Sequence, residues 1–228
     1  GVAHGYMDCS GLELVNIVYD ATRLKLPNTG LKGFPGYRAL FTLEPAFRSR
    51  HEFKGRLHLP PANRRELTQK VLEMQEELRQ HDDGYRFFCL TLLMQIIGQL
   101  SRIYSEMESS TSRSLLRLSR VLQHMESHYS NDLKLAALAK LANMSERTLQ
   151  RCFQETFAQS PIHFLNRLRI GKACEELARS DSNIAEIAGS VGIEDSNYFA
   201  RLFHQLVGTS PSAYRKAPSR FAAPPLVH

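Results

Sequence analysis

Two short stretches of this chain hold side chains whose types and spacing point to specific chemistry. In SERTLQRCFQETFAQSP, residues 145 to 161, Arg147, Gln150 and Arg151 are three and four positions apart. On a helix that spacing puts them on one face. In DSNYFARLFHQLVGTSP, residues 195 to 211, Ser196, Asn197 and Arg201 hold the comparable polar side. An arginine fork matches the two acceptors of guanine, and Gln or Asn pairs in the same bidentate way with adenine, so both faces carry groove-reading chemistry. Polar residues also cover the outside of any helix. Finding the pattern twice, each time after the same kind of turn, favours the reading over mere solvation.

The two stretches are copies at an offset of 50: Leu149 falls on Phe199, Arg151 on Arg201, Phe153 on Phe203, Gln154 on His204, Phe157 on Val207, Ser160-Pro161 on Ser210-Pro211 and Phe164 on Tyr214. One step upstream, at offset 49, Leu138-Ala139 falls on Ile187-Ala188 and Asn143-Met144 on Gly192-Ile193. Each copy therefore has a short helix with a small residue (Ala139 or Ala188) and a turn at Asn143 or Gly192. An apolar plug, Met144 or Ile193, and a capped second helix follow. Gly and Asn readily take the left-handed conformation that ends one helix and redirects the chain into another. The spacing predicts two helix-turn-helix units, a motif whose second helix enters the major groove. Each Ser-Pro supplies an N-cap and a first helical residue, so a further helix starts after each copy, with exposed amides that favour a phosphate.

The rest of the chain must position these units. Residues 115–216 read as helical throughout, and ESSTSRS (108–114) has the composition of a linker. Upstream, Leu67, Val71, Met74 and Leu78, then Leu93, Ile97, Leu100, Tyr104 and Met107, follow helical spacing on either side of a break at 81–84. They predict a helical hairpin over 61–107. Its second helix is apolar on more than one face, with Phe88, Leu92 and Ile96 outside the main stripe. The added face is expected to meet either a β domain or a second subunit. Residues 1–60 read as β structure, with strands in LELVNIVYD (12–20), YRALFTL (37–43) and EFKGRLHL (52–59) separated by Pro and Gly turns. The tail 217–228, with three prolines, is expected to be flexible.

Composition narrows the function classes. Residues 113–228 hold 15 Lys and Arg against 10 Asp and Glu, a net +5, whereas residues 1–112 hold 14 against 13. The basic surplus sits in the half that holds the repeat, which suits a polyanionic partner. Cys9, Cys89, Cys152 and Cys174 are scattered and read as reduced, buried thiols of a cytoplasmic protein. His124 and His128 have a spacing able to bind zinc, but no third ligand accompanies them. No metal site or cofactor is expected. Glu44, His51 and Glu52 read as solvent-facing or structural, or as contacts to a sugar hydroxyl. No glycine-rich phosphate loop, serine nucleophile elbow or carboxylate pair is present, so the sequence offers no enzyme chemistry. The longest apolar stretch, Phe87 to Ile97, is too short to span a bilayer, so no membrane is expected. No start methionine precedes the strand-like opening, so the first domain is expected to lack its front.

With its long connecting FLNRLRIGKA and its closing VGTSPSAYRK, the stretch 115–216 resembles the DNA-binding domain of the AraC/XylS family of transcription regulators. The resemblance implies two helix-turn-helix units joined by a rigid helix and reading successive major-groove segments. By motif position Arg147, Gln150 and Arg151 match the first reading helix, and Ser196, Asn197 and Arg201 the second. Two departures bear on base contacts: Asn143 where Gly is commoner, and the acidic Glu194-Asp195 at the start of the second helix. HGYMD, LVNIVYD, FPGYRALFTLEP and RLHL resemble the cupin-type sensor of this family, particularly the L-rhamnose-responsive regulators.

The expected fold is α+β: an incomplete cupin-like β domain (1–60) with a helical hairpin (61–107), a linker (108–114), and an all-α domain with two helix-turn-helix units (115–216). The expected function is a cytoplasmic, sequence-specific transcription regulator, an activator answering to a sugar or other small-molecule effector. Its expected partners are promoter DNA, RNA polymerase and a second copy joined through 61–107. No residue is singled out for effector binding. The competing readings are a DNA-binding module fused to a DNA-repair or other enzymatic activity, and a metabolite-binding module that contacts only protein.

Overall fold

Pro61 occupies the first turn of a 20-residue helix, where its missing N–H costs nothing. The computed structural model describes residues 17–18, 30–31, 33–48, 57, 59–107 and 109–224. Among these residues every regular element is helical, in the order α1 (Pro35–Arg38), a π-helical turn (Ala39–Leu43), α2 (Glu44–Arg48), α3 (Pro61–Gln80), α4 (Tyr85–Ser105), α5 (Ser110–His128), α6 (Leu135–Leu141), α7 (Glu146–Phe157), α8 (Pro161–Leu177), α9 (Ile184–Ser190), α10 (Ser196–Val207) and α11 (Pro211–Lys216).

Helices α3 and α4 form the hairpin, reversing at left-handed His81 and Gly84. Leu67 and Met74 of α3 meet Leu93 and Ile97 of α4 in one cluster. Leu92 and Ile96, the apolar residues outside the main stripe, are buried within the chain too. Part of the extra face of α4 is covered by α1, where Gly36 crosses so closely that a Cβ would sit 2.0 Å from the Ser101 carbonyl oxygen. Phe88 remains half exposed. In length and mean hydropathy α4 would pass for a membrane-crossing helix. Here Gln95 accepts a bond from Lys70 of α3 (2.8 Å), Gln99 donates to Glu66, and Leu93, Ile96 and Ile97 pack into the hairpin's core, while Phe87 and Phe88 face outward.

The expected cupin-like β domain is overturned where it can be judged: among the described residues there is no strand. YRALFTL, read as a strand, forms the end of α1 and the π-helical turn that leads into α2. Ala39, Leu43 and Ala46 recur at helical spacing and are all buried. A short apolar run fits either period locally, and what decides is where it packs. This one lies between the hairpin and α5, with Ala39 and Leu43 in the same core as Leu118 and Val121. Arg38 adds two bonds to Glu126 of α5, at 2.6 and 2.8 Å. Glu44, read as solvent-facing or structural or as a contact to a sugar hydroxyl, is buried at the start of α2. The other expected strands, 12–20 and 52–59, lie outside the described residues except for 17–18, 57 and 59, as do His51, Glu52 and Cys9.

In the stretch read as a linker, Ser109 caps α5 by accepting from the Ser112 amide, so Ser110 onward is its first turn. The chain then builds two cores. Leu118, Val121, Met125, Leu138, Leu149 and Phe153 belong to the first; Ile187, Val191, Phe199, Phe203 and Tyr214 belong to the second. Helix α8 serves both: Phe164, Leu165 and Leu168 enter the first core, and Ile170, Ala173, Cys174 and Leu177 the second. In the tail, Pro218–Arg220 form a 3-10 turn and Phe221 lies against Tyr214 with ring centroids 6.2 Å apart.

Candidate nucleic-acid interface

Each helix-turn-helix unit is closed by the same backbone device. The Met144 amide donates to the Ala139 carbonyl (3.0 Å) and the Ile193 amide to the Ala188 carbonyl (2.9 Å). The residues that turn the chain, Asn143 and Gly192, have φ of 49° and 80°. Ala139 and Ala188 are buried at the helix crossings. The two turns are braced differently. In the first, Arg117 of α5 donates to the Asn143 carbonyl at 3.3 Å. In the second, Gly192 lies on the Ser130 backbone, where a Cβ would fall 2.4 Å from the carbonyl oxygen.

The second helices of the two units, α7 and α10, are capped in kind but not in residue. The Ser145 hydroxyl accepts from the Thr148 amide at the start of α7. At α10 the cap is Asp195, whose Oδ1 accepts from the amides of Asn197 (2.8 Å) and Tyr198 (3.0 Å). The acidic residue that departs from the family pattern thus satisfies two orphan amides and sits at the positive end of the helix dipole. Ser160 and Ser210 cap α8 and α11 in the same way, accepting from the His163 and Ala213 amides.

All six candidate residues, Arg147, Gln150, Arg151, Ser196, Asn197 and Arg201, are exposed, while Leu149 and Phe153, and Phe199 and Phe203, bury the opposite sides of their helices. Arg151 Nε is 3.7 Å from Glu155 Oε1, with the arginine side chain 70% exposed. Such a surface pair is worth ~0.3–0.5 kcal/mol, less than the ~1–3 kcal/mol of one bidentate base contact, so it does not hold the arginine back.

Position for position, the two faces differ. Asn197 and Arg201 stand where Arg147 and Arg151 do, but Ala200 replaces Gln150, and Ser196 occupies the place of Glu146. An exposed alanine suits a thymine methyl group. Among the exposed residues of these helices that lie outside the six are Gln154, its counterpart His204, and Tyr198. The offset of 50 pairs the first two. Tyr198 is placed by Asn166 of α8, whose amide donates to its hydroxyl at 3.1 Å, a contact with no local signature.

Other candidate chemistry lies apart from these faces. The rings of His124 and His128 stack on each other at 4.3 Å, and among the described residues no cluster of three potential metal ligands is found. Cys152 and Cys174 are buried free thiols, and burial pushes the Cys174 thiol up to about 11.

The sequence of this region also matches a known domain family. A helix-turn-helix domain family matches residues 138–217, from α6 to the end of α11. Over 213 residues the chain is 30% identical to the HTH-type transcriptional activator RhaR of Pectobacterium carotovorum subsp. carotovorum (strain PC1), covering 93% of this chain and 71% of that protein. It is also 30% identical to the HTH-type transcriptional activator RhaS of Shigella boydii serotype 18 over 156 residues, which are 68% of this chain and 55% of that one. Among solved structures, the C-terminal domain of AraT, a response regulator from Geobacillus stearothermophilus, matches at 35% identity and a TM-score of 0.42, over 44% of this chain and 84% of that one. The DNA-binding domain of AdpA, solved in complex with a target DNA, matches at 30% identity and a TM-score of 0.44, over 46% and 94%. With two exposed arginine-bearing helices set behind paired turns, and a relative of this identity aligned over 93% of this chain and 71% of its own length, the chain belongs to the AraC/XylS family of DNA-binding transcription regulators.

Proposed function

We propose that the chain is a cytoplasmic activator that reads promoter DNA with α7 and α10 and answers to a small-molecule effector, a sugar being the class implied by the resemblance of its N-terminal sequence to the L-rhamnose-responsive regulators. Arg147, Gln150 and Arg151 read one groove segment, and Ser196, Asn197 and Arg201 the next. The observation that carries this reading is the duplicated unit, in which equivalent helices expose polar faces behind equivalent turns. The net +5 of residues 113–228 supplies the salt-dependent, sequence-independent part of the affinity. The hairpin 61–107 joins two copies, and RNA polymerase is the partner at the promoter.

The effector's message reaches the reading helices by direct packing. Helices α1 and α2 lie against α5 and α7, held by the Arg38–Glu126 pair. Phe47 of α2 lines a cleft of about 200 Å³ together with Arg151 and Glu155. A change in how the N-terminal half sits therefore bears directly on the first reading helix, at Arg151 itself.

The test is Arg151→Ala, assayed by mobility shift on the neighbouring promoter. It is expected to cost ~1–3 kcal/mol of binding and to relax preference at one base position. Binding that weakens equally on all sequences would reduce Arg151 to a phosphate contact.

A further inference from the structure

We infer that Arg169 is a positioning residue that sets the spacing between the two groove segments this protein reads, by clamping loop 129–131 as a shim between the two units. The inference rests on the two-helix reading of DNA proposed above.

Helix α8 is the covalent bridge between the units, and it is weakest where its two halves change cores. Leu168 closes the first core and Ile170 opens the second, and Gly171 follows at once. A Cβ at Gly171 would meet nothing within 4 Å, so packing does not call for glycine there. Its effect is on the helix itself, since glycine is the residue that least restrains a helical backbone. Something else must hold the second unit in phase with the first.

Loop 129–131 is placed to do so. Tyr129 packs against both cores. The Arg169 guanidinium donates from Nε to the Tyr129 carbonyl (2.7 Å) and from Nη2 to the Asn131 carbonyl (2.8 Å). One planar fork thereby fixes the carbonyls of the two residues that flank Ser130. Ser130 in turn is the surface on which Gly192 rests, closer than any side chain would permit. Gly192 stands four residues ahead of Ser196, where α10 begins. The path Arg169, loop 129–131, Gly192, α10 thus ties the second reading helix to the end of α5, which belongs to the first unit. Without the fork, that position rests on α8, with Gly171 just past its middle, and on the Asn166–Tyr198 bond.

The test uses the full chain and a duplex recovered with it by selection from a random pool, together with the same duplex carrying one added base pair between the two segments. The addition turns one segment relative to the other by roughly a tenth of a helical turn. Wild-type protein is expected to bind the altered duplex about 30-fold or more weakly, as for the loss of one or two base contacts. Arg169→Ala is expected to shrink that ratio about fivefold or more, and adding Gly171→Ala to it is expected to restore part of the ratio by stiffening α8. Arg169→Lys, which keeps the charge and one donor, gives an intermediate ratio and serves should the alanine variant fail to fold. A merely structural role would lower binding to both duplexes alike and leave the ratio intact, which overturns the inference while the two-helix reading stands. Wild-type protein indifferent to the added base pair removes that reading and the inference with it.

Discussion

Gly192 and Gly208 offer a matched pair for measuring what the contact between the units is worth. Both are left-handed, with φ of 80° and 82°. Alanine at either position meets the same backbone penalty of ~1–2 kcal/mol. At Gly208 a Cβ has nothing within 4 Å; at Gly192 it would lie 2.4 Å from the Ser130 carbonyl oxygen, 2.8 Å from its carbon and 2.9 Å from its Cα. Those atoms cannot swing aside as a flexible side chain would, because Arg169 holds the carbonyls on either side. Overpacking of this kind costs ~1–3 kcal/mol. Gly192→Ala is therefore expected to lose ~2–5 kcal/mol and Gly208→Ala only ~1–2 kcal/mol. In urea denaturation followed by circular dichroism, the two variants should differ in midpoint by about 1 M at the usual slope. Equal midpoints would show that Ser130 yields freely, and the close seating of the second turn would carry no energetic weight.

Two more outcomes follow from the same coordinates. Ala158, which ends α7 at φ 53°, stands where Gly208 ends α10. Ala158→Gly relieves the left-handed strain at the cost of a more flexible unfolded chain, and a net gain of about 0.5–1 kcal/mol is expected in the same urea assay. His124 is partly withdrawn from water and stacked on His128, and burial first, then the second imidazole, lower its pKa. A histidine whose folded pKa is depressed resists protonation in the native state, so stability is complete above the unfolded value of about 6.5 and falls as the pH drops below it. His124→Gln should flatten that acid-side decline; an unchanged slope would assign it to other groups.

Much of the two helix-turn-helix units was legible in the residues alone because their determinants are local. Left-handed φ at Asn143 and Gly192, serine caps before Pro161 and Pro211, and apolar residues at helical spacing on one side of each reading helix all act within a few residues. Their duplication at a constant offset turned a weak pattern into a specific one. The same local logic misread YRALFTL. Seven residues with a short apolar run satisfy strand and helix alike, and the choice fell to what they pack against. Segment 108–114 shows a related ambiguity: a run of small polar residues reads as a linker, yet serines also cap and open helices, and Ser109 does so for α5.

By itself the sequence determined the two helix-turn-helix units, the faces they turn outward and the helical hairpin ahead of them, since propensity, capping and periodicity are properties of neighbours along the chain. Tertiary structure decided the rest. It folded α1 and α2 onto α5 and α7, divided α8 between two cores, and brought Arg169 to carbonyls 40 and 38 positions away. These are contacts between residues far apart in the chain, each set by the burial of a whole core, and no short window of residues contains both partners.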